Sequence, residues 1–166
     1  MIFRHKLVIS HIMTKNKYLS LIIILIITFI APTIGSYATS AYKEPWYTEI
    51  ILPSFNPPSW VFAPVWSTLY LMMSLAIWKA WINTFDTKLL KIYFAHLFFN
   101  STWSVVFFGF HQIGLALLNL FVILVFIIIL MKEYFNRDKI SFYLMIPYAC
   151  WSSYALVLNT SIFLLN

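Results

Sequence analysis

The sequence predicts an all-α membrane protein, a bundle of five transmembrane helices. Of its 166 residues, 62% are hydrophobic, 20% are aromatic and only 10% are charged, whereas a soluble domain is typically about 25% charged. A membrane-spanning helix needs roughly 20 apolar residues, so this chain has room for several spans and for little else. The composition therefore excludes a separate soluble catalytic domain.

The five spans follow from the positions of the charged residues. The segments without Lys, Arg, Asp or Glu are 18–42, 50–78, 92–131 and 140–166. Segment 92–131 would form a helix of about 60 Å, twice the ~30 Å hydrocarbon core, so it must fold back once. The turn is Gly109–Gly114, where two glycines flank polar residues. The predicted helices are approximately 18–40, 59–80, 90–109, 113–132 and 140–164; they form one domain, 18–166, after a basic extension, 1–17.

The basic residues orient the spans. Ten of the eleven lie in the N-terminal extension, between the second and third helices, or between the fourth and fifth, and these segments share one face of the membrane. Only Lys43 is on the other face. Because cytoplasmic loops carry the excess of Lys and Arg, we expect a cytoplasmic N-terminus, with loop 1 and the C-terminus on the outer side. The ten residues are Arg4, Lys6, Lys15, Lys17, Lys79, Lys88, Lys91, Lys132, Arg137 and Lys139.

The first helix has a second interpretation. Its basic start, its apolar run over 18–31 and the sequence Ser36-Tyr37-Ala38 are also typical of a cleavable secretory signal. The charge bias does not decide between a retained helix and a cleaved signal, because the other four helices keep the same orientation when the first helix is removed. The extension 1–17 either lies on anionic lipid or is a simple tail.

Loop 1, Lys43–Ser59, carries four prolines beside aromatic residues. Proline fixes φ and lowers the entropy of an unbound loop, so loop 1 is predicted to be a stiff cover over the outer end of the bundle. Trp46 and Tyr47 fit equally well an aromatic belt at the membrane interface. The candidate lid residues are Trp46, Tyr47, Pro57, Pro58 and Trp60.

Aromatic residues recur at helical spacing in the second, third and fifth helices, so they form a stripe on each. Such stripes more often pack a core than bind a ligand. Depth favours a site, because Trp66, Trp103 and Trp151 fall at middle or outer depth under loop 1, where an indole N–H needs a partner. The stripes are Phe62, Trp66, Tyr70 and Trp78; Asn100, Trp103 and Phe107; and Tyr148, Trp151, Ala155 and Leu158.

Three amides also lie at membrane depth, where polar groups favour the bundle interior. We expect Asn119 to make an interhelical hydrogen bond, and Asn100 and Asn159 either to do the same or to orient a ligand. An apolar pocket with a few polar groups is the usual form of a small-molecule site. The sequence therefore predicts a pocket for a flat, lipophilic, aromatic ligand.

Several chemistries are excluded or disfavoured. There is no Gly-rich phosphate loop and no Ser-His-Asp spacing, and all five acidic residues lie outside the predicted membrane core, so the proton relay of a pump is missing. His96, alone inside a span, is expected to pack in the core rather than to ligate haem, and no metal site is predicted. Cys150 is the single cysteine, which rules out an intrachain disulfide. Nucleic-acid binding is disfavoured because the basic residues serve orientation.

Three motifs carry a family resemblance. They are Pro45-Trp46-Tyr47 with the segment LPSFNPPSWVFAPVWSTLY over 52–70, NSTWSVVFFG over 100–109, and PYACWSSYALVLN over 147–159. Together they resemble the TspO/MBR family, which comprises tryptophan-rich sensory proteins of bacteria and the mitochondrial translocator protein. The likeness runs from about residue 18 to residue 166.

The resemblance implies five retained helices, which argues against signal cleavage, and commonly a homodimer. It also implies a pocket under loop 1 that binds porphyrins and synthetic isoquinoline carboxamides, with sterol binding in animal members. Some bacterial members degrade protoporphyrin in light, and by resemblance that role would belong to Trp66 and Trp151. The ligand-binding residues carried over by motif are Ala63, Val65, Trp66, Asn100, Trp103, Trp151, Ala155 and Leu158.

Two positions depart from the family pattern. The sterol-recognition stretch of animal members follows the fifth-helix Asn and needs a Tyr and then an Arg or Lys, but Asn159 is followed by Thr-Ser-Ile-Phe-Leu-Leu-Asn. Cholesterol binding by that motif is therefore doubtful. Leu115 stands where animal members often have a pocket Trp, which implies a different ligand preference.

These observations predict a bacterial inner-membrane protein that binds a tetrapyrrole, protoporphyrin IX or a haem-related molecule, and acts as a sensor or regulator. No further cofactor is expected, and the expected partners are membrane lipids and a second copy of the chain. The alternatives are a porphyrin or lipophile transporter and a light-dependent porphyrin-degrading enzyme. The missing intramembrane carboxylate weakens energised transport, and the missing acid–base machinery weakens ordinary catalysis.

Overall fold

The computed structural model describes residues 16–166, and these residues are helical with no strand among them. Most of the basic extension 1–17 lies outside the described residues. Within residues 16–166 there are six α-helices, α1 (Lys17–Tyr42), α2 (Trp46–Glu49), α3 (Ser59–Ile82), α4 (Thr87–Ser104), α5 (Ile113–Arg137) and α6 (Lys139–Leu165), and a wider helical turn, Val105–Gly109, continues α4.

Each predicted span corresponds to one long helix, namely α1, α3, α4, α5 and α6. The short helix α2, inside loop 1, was not expected from the sequence. Pro45 stands at its start, where a missing backbone N–H has no consequence because the first N–H groups of a helix have no intrahelical partner. Prolines that stiffen loop 1 are thus compatible with a helical turn within it.

Four of the helices, α1, α3, α5 and α6, are long and apolar enough to cross a membrane. Helix α4 has 18 residues and includes Lys88, Lys91, His96 and Asn100, so by itself it is the least apolar of the five. The wider turn adds the apolar residues of Val105–Gly109 to the same helical rod. The protein is a multi-pass membrane protein with an all-α fold.

The five long helices form a closed ring. Helix α1 packs against α3, α3 against α6, α6 against α5, α5 against α4, and α4 against α1. The side chains between them are fully buried and include aromatic as well as aliphatic residues, among them Tyr93, Tyr134, Tyr148, Met73, Ile77, Ile123 and Ile127. Several of the buried aromatic residues carry hydroxyl groups, so the interior contains polar groups that need hydrogen-bond partners.

The basic end of the bundle is organised by two acidic caps. Asp86 accepts a hydrogen bond from the backbone N–H of Lys88 at 2.8 Å, and Asp138 caps α6 in the same way. Asp86 also pairs with Arg137 at 2.9 Å. The Lys88 hydrogen bond and the Arg137 charge hold the pKa of Asp86 below its ordinary value. These groups are partly exposed, so they fix the helix ends more than they add stability.

Asn119 makes the interhelical hydrogen bond expected from the sequence. Its Nδ2, on α5, donates to Oγ1 of Thr102, on α4, at 3.0 Å. Such bonds join helices in a solvent of lipid chains, which offers no partner to a polar group. The expectation for Asn119 is therefore confirmed.

We predict that Asn119→Leu and Thr102→Val each destabilise the bundle, with a coupling free energy of about 0.6 kcal/mol, the average for interhelical hydrogen bonds in a membrane protein. A double-mutant cycle on unfolding in mixed detergent micelles measures this coupling. If the two effects simply add, the hydrogen bond makes no net contribution.

Candidate ligand-binding site

Loop 1 closes one end of the bundle through aromatic contacts. Trp46 and Tyr47, both on α2, pack against Phe107 with ring centroids 5.3 Å and 6.4 Å apart. The Trp46 ring also stacks on His111 at 4.5 Å, and burial raises the pKa of the Tyr47 phenol. Of the other lid candidates, Pro57 is half-buried, whereas Pro58 and Trp60 are exposed.

The wider turn Val105–Gly109 builds the surface that loop 1 covers. The backbone N–H of Phe110 donates to the carbonyl of Val105, five residues earlier, at 3.0 Å, so the helix is wider than an α-helix here. Phe107 lies inside this turn, buried, and stacks on Trp103 at 5.0 Å. We call Trp46, Tyr47, Trp103, Phe107 and Phe108 the lid cluster.

Two side chains from the region of α6 tie loop 1 to the bundle. The amide of Asn166 accepts the N–H of Ile51 at 2.9 Å and donates to the carbonyl of the same residue at 3.0 Å. The hydroxyl of Tyr154 donates to the carbonyl of Phe55 at 2.7 Å. Loop 1 is therefore anchored at two points as well as covered by aromatic packing.

A groove of about 620 Å³ runs between α3 and α6. Pro64 and Pro147 interrupt these two helices inside their length, and each proline removes one backbone hydrogen bond from its helix. The outward side of the groove is made by residues that are exposed and would face lipid. The lining residues are Pro64, Val65, Thr68, Leu69, Met72, Pro147, Cys150, Trp151 and Tyr154.

The residues predicted to form one pocket fall into separate groups. Val65 and Trp151 line the groove, whereas Trp103 belongs to the lid cluster and Leu158 packs with that cluster beneath loop 1. Trp66 belongs to neither group and packs against the main core. Of the remaining candidates, Asn100 is buried, Ala155 is half-buried and Ala63 is exposed.

The indoles of Trp103 and Trp151 differ in how their N–H groups are used. That of Trp103 donates to Oδ1 of Asn159 at 3.2 Å, so the partner that its depth demands lies within the protein. That of Trp151 is buried and has no hydrogen-bond partner among residues 16–166. Trp151 thus brings an aromatic face to the groove, while its N–H lies inside the protein.

A buried polar network joins α3, α4 and α6 beside Trp66. The hydroxyl of Tyr70 donates to Oδ1 of Asn100, and Nδ2 of Asn100 donates to the hydroxyl of Tyr148 at 2.8 Å. The same hydroxyl lies 2.8 Å from Nε2 of His96. The Trp66 ring centroid is 5.7 Å from that of Tyr70 and 6.2 Å from that of Tyr148. Both the oxygen and the nitrogen of the Asn100 amide are therefore hydrogen-bonded to tyrosines.

Three members of this network were not among the predicted site residues. Tyr70 follows Trp66 by four residues and His96 precedes Asn100 by four, so each shares a helix face with a predicted residue. That spacing was the signal available in the sequence. His96 is fully buried, as expected of a core residue, and residues 16–166 contain no group of three side chains able to hold a metal ion.

We predict that Asn166→Ala loosens loop 1. The substitution removes both hydrogen bonds to Ile51, and a net loss of about 1 kcal/mol corresponds to a roughly fivefold increase in local opening. Hydrogen exchange at the backbone amides of residues 51–55 measures the change. Asn136→Ala, at the exposed basic end, is the matched control and should have no effect. Unchanged exchange in Asn166→Ala would show that the loop is held by packing alone.

The residues that match known proteins include both the groove and the lid cluster. The TspO/MBR family model matches residues 22–165. The tryptophan-rich sensory protein of Cereibacter sphaeroides is 35% identical over 144 residues, 86% of this chain and 91% of its own length. The tryptophan-rich protein TspO of Archaeoglobus fulgidus is 32% identical over 134 residues, which are 80% of this chain and 87% of its own length. The human translocator protein is 31% identical over 140 residues, which are 78% of this chain and 82% of its own length. This chain belongs to the TspO/MBR family.

Proposed function

We propose that this protein binds a tetrapyrrole, such as protoporphyrin IX or a haem-related molecule, and acts as a sensor or regulator in the membrane. The observation that carries the proposal is the groove between α3 and α6, whose wall includes the indole of Trp151. A tetrapyrrole is flat, aromatic and lipophilic, and such a ring stacks well on an indole. The volume of 620 Å³ lies within the usual range of small-molecule sites, about 300–1,000 Å³.

The polar groups of the groove support an apolar ligand. The hydroxyls of Thr68 and Tyr154 already donate to the backbone carbonyls of Pro64 and Phe55, so they compete little for a partner. The N–H of Trp151 is buried, so this indole offers a bound ring its aromatic face. The relative from Cereibacter sphaeroides is called a sensory protein, which supports the same role here.

The proposed arrangement in the membrane has five crossings. Residues 87–109, α4 with its wider turn, would extend about 34 Å, enough for the ~30 Å hydrocarbon core. The basic end would then face the cytoplasm, and loop 1 would lie on the outer side of a bacterial inner membrane. We also propose that residues 18–166 act as one domain and that the functional unit is a homodimer.

The same groove suits related ligand classes. Isoquinoline carboxamides are also flat and lipophilic, so they would compete with the tetrapyrrole for the Trp151 face. Membrane lipid would fill the outward side when no ligand is bound. Sterol recognition after Asn159 is not part of the proposal, because neither a Tyr nor a basic residue follows it. Binding of these ligands requires no cofactor.

Transport is the second candidate function, and one observation favours it. Pro64, Thr68, Pro147 and Cys150 line the groove and are exposed, so a bound molecule would have a sideways route to the lipid. Energised transport has less support, because all five acidic residues of the sequence lie in loops or in the last helical turn at the basic end. Passive exchange is the form of transport that fits.

We predict that protoporphyrin IX quenches the intrinsic tryptophan fluorescence of the purified protein. Trp151→Phe, which removes the indole of the groove wall, should weaken binding by about fivefold, equivalent to roughly 1 kcal/mol of aromatic contact. Trp81→Phe, on the same helix as Trp66 but near the basic end, is the matched control and should retain the wild-type affinity. Wild-type affinity in Trp151→Phe would place the ligand elsewhere.

Illumination of the same complexes separates a binding protein from a degrading enzyme. If the protein degrades porphyrin, light should produce a new product spectrum in the wild type and much less of it in Trp66→Phe and Trp151→Phe. If it only binds, the spectrum should change no faster than that of protoporphyrin IX in empty micelles.

A further inference from the structure

We propose that Tyr148 and His96 form a redox pair that returns an electron to Trp66 after a photoexcited tetrapyrrole has oxidised it. The inference rests on the proposed function, because it needs a tetrapyrrole bound in the groove. It assigns an activity to a buried cluster that binding alone does not use.

The position of Trp66 suits it for passing an electron inward. It is next in sequence to Val65, which lines the groove, and its ring lies against Tyr70 and Tyr148 at 5.7 Å and 6.2 Å between centroids. Trp66 thus adjoins a residue of the groove wall in sequence, and its ring contacts two phenols. Rings at these separations are in contact, so an electron can move between them without a carrier.

The hydrogen bonds give the two tyrosines different roles. Because Tyr70 donates to Oδ1 of Asn100, the Nδ2 group of this amide points to Tyr148 and donates to its oxygen. A phenol has one proton, and in Tyr148 that proton is left for Nε2 of His96, 2.8 Å away. The proton of Tyr70 faces only an amide oxygen. Only Tyr148 is bonded to a base.

This difference decides which tyrosine is oxidised. A phenol gives up an electron far more readily when its proton can leave in the same event, and an imidazole can accept that proton whereas an amide cannot. Tyr148 and His96 are both fully buried, so water does not compete as the proton acceptor. The pair is therefore built for coupled transfer of one electron and one proton.

The step balances in electrons, protons and charge. The excited tetrapyrrole takes one electron from the Trp66 indole, which leaves a tetrapyrrole radical anion and an indole radical cation. Tyr148 then gives one electron to Trp66 and its phenolic proton to Nε2 of His96. The products are neutral Trp66, a neutral tyrosyl radical and an imidazolium. The positive charge moves from indole to imidazole, so no additional charge appears in the apolar interior.

The test is electron paramagnetic resonance of the protoporphyrin IX complex, frozen under illumination. The wild type should show a tyrosyl radical, and Tyr148→Phe should lose it. Tyr143→Phe, an exposed position on the same helix, should retain it. His96→Gln keeps a polar side chain but no base, so it should slow formation of the radical by roughly 100-fold, the lower end of what a positioned general base contributes.

A second measurement needs no variant. Transient absorption should show the Trp66 radical converting to a tyrosyl radical more slowly in deuterium oxide, after full exchange, than in water. Equal rates in the two solvents would overturn the coupled step, as would a tyrosyl signal that persists in Tyr148→Phe or an undiminished rate in His96→Gln. Protein that does not bind protoporphyrin IX in the dark would overturn the proposed function itself. Protein that binds it but forms no tyrosyl radical in light would overturn this inference alone.

Discussion

The side-chain amide of Asn100 is the contact on which the interior of the bundle depends. An amide without partners in an apolar interior is costly, and Asn100 avoids that cost by bonding Tyr70 on α3 and Tyr148 on α6. Helices α3 and α4 are not neighbours in the ring, so these bonds cross its interior and set three helices relative to one another. The groove and the ring of Trp66 take their positions from this arrangement.

The two ends of the bundle are closed by different forces. At the basic end, Asp86 and Asp138 cap helices and pair with cations, which suits a surface in contact with water. At the other end, Trp46 and Phe107 meet within the lid cluster, and the wider turn presents the phenylalanine to loop 1. Closure by aromatic packing keeps an apolar interior continuous up to that end, where charged groups would admit water.

The sequence predicted the long helices well because charge-free segments have to span lipid or be buried. It did not predict α2 or the wider turn Val105–Gly109, since helical segments of four and five residues leave no periodic pattern. Trp66 and Trp151 were selected as candidates from spacing and depth. Their division between the core and the groove was not, because helix rotation about α3 and α6 is set by contacts across the ring, such as the bonds made by Asn100.

Tyr154 contributes both to the groove and to the attachment of loop 1. Its ring lines the groove, and its hydroxyl holds the carbonyl of Phe55 in loop 1. A molecule that pushes the ring aside must strain or break that hydrogen bond, and a loop that lifts away frees the ring to move. Occupancy of the groove and closure of loop 1 are therefore linked thermodynamically, and the coupling is reciprocal. A receptor built this way would report the presence of its ligand at the membrane surface, where another protein can recognise the change.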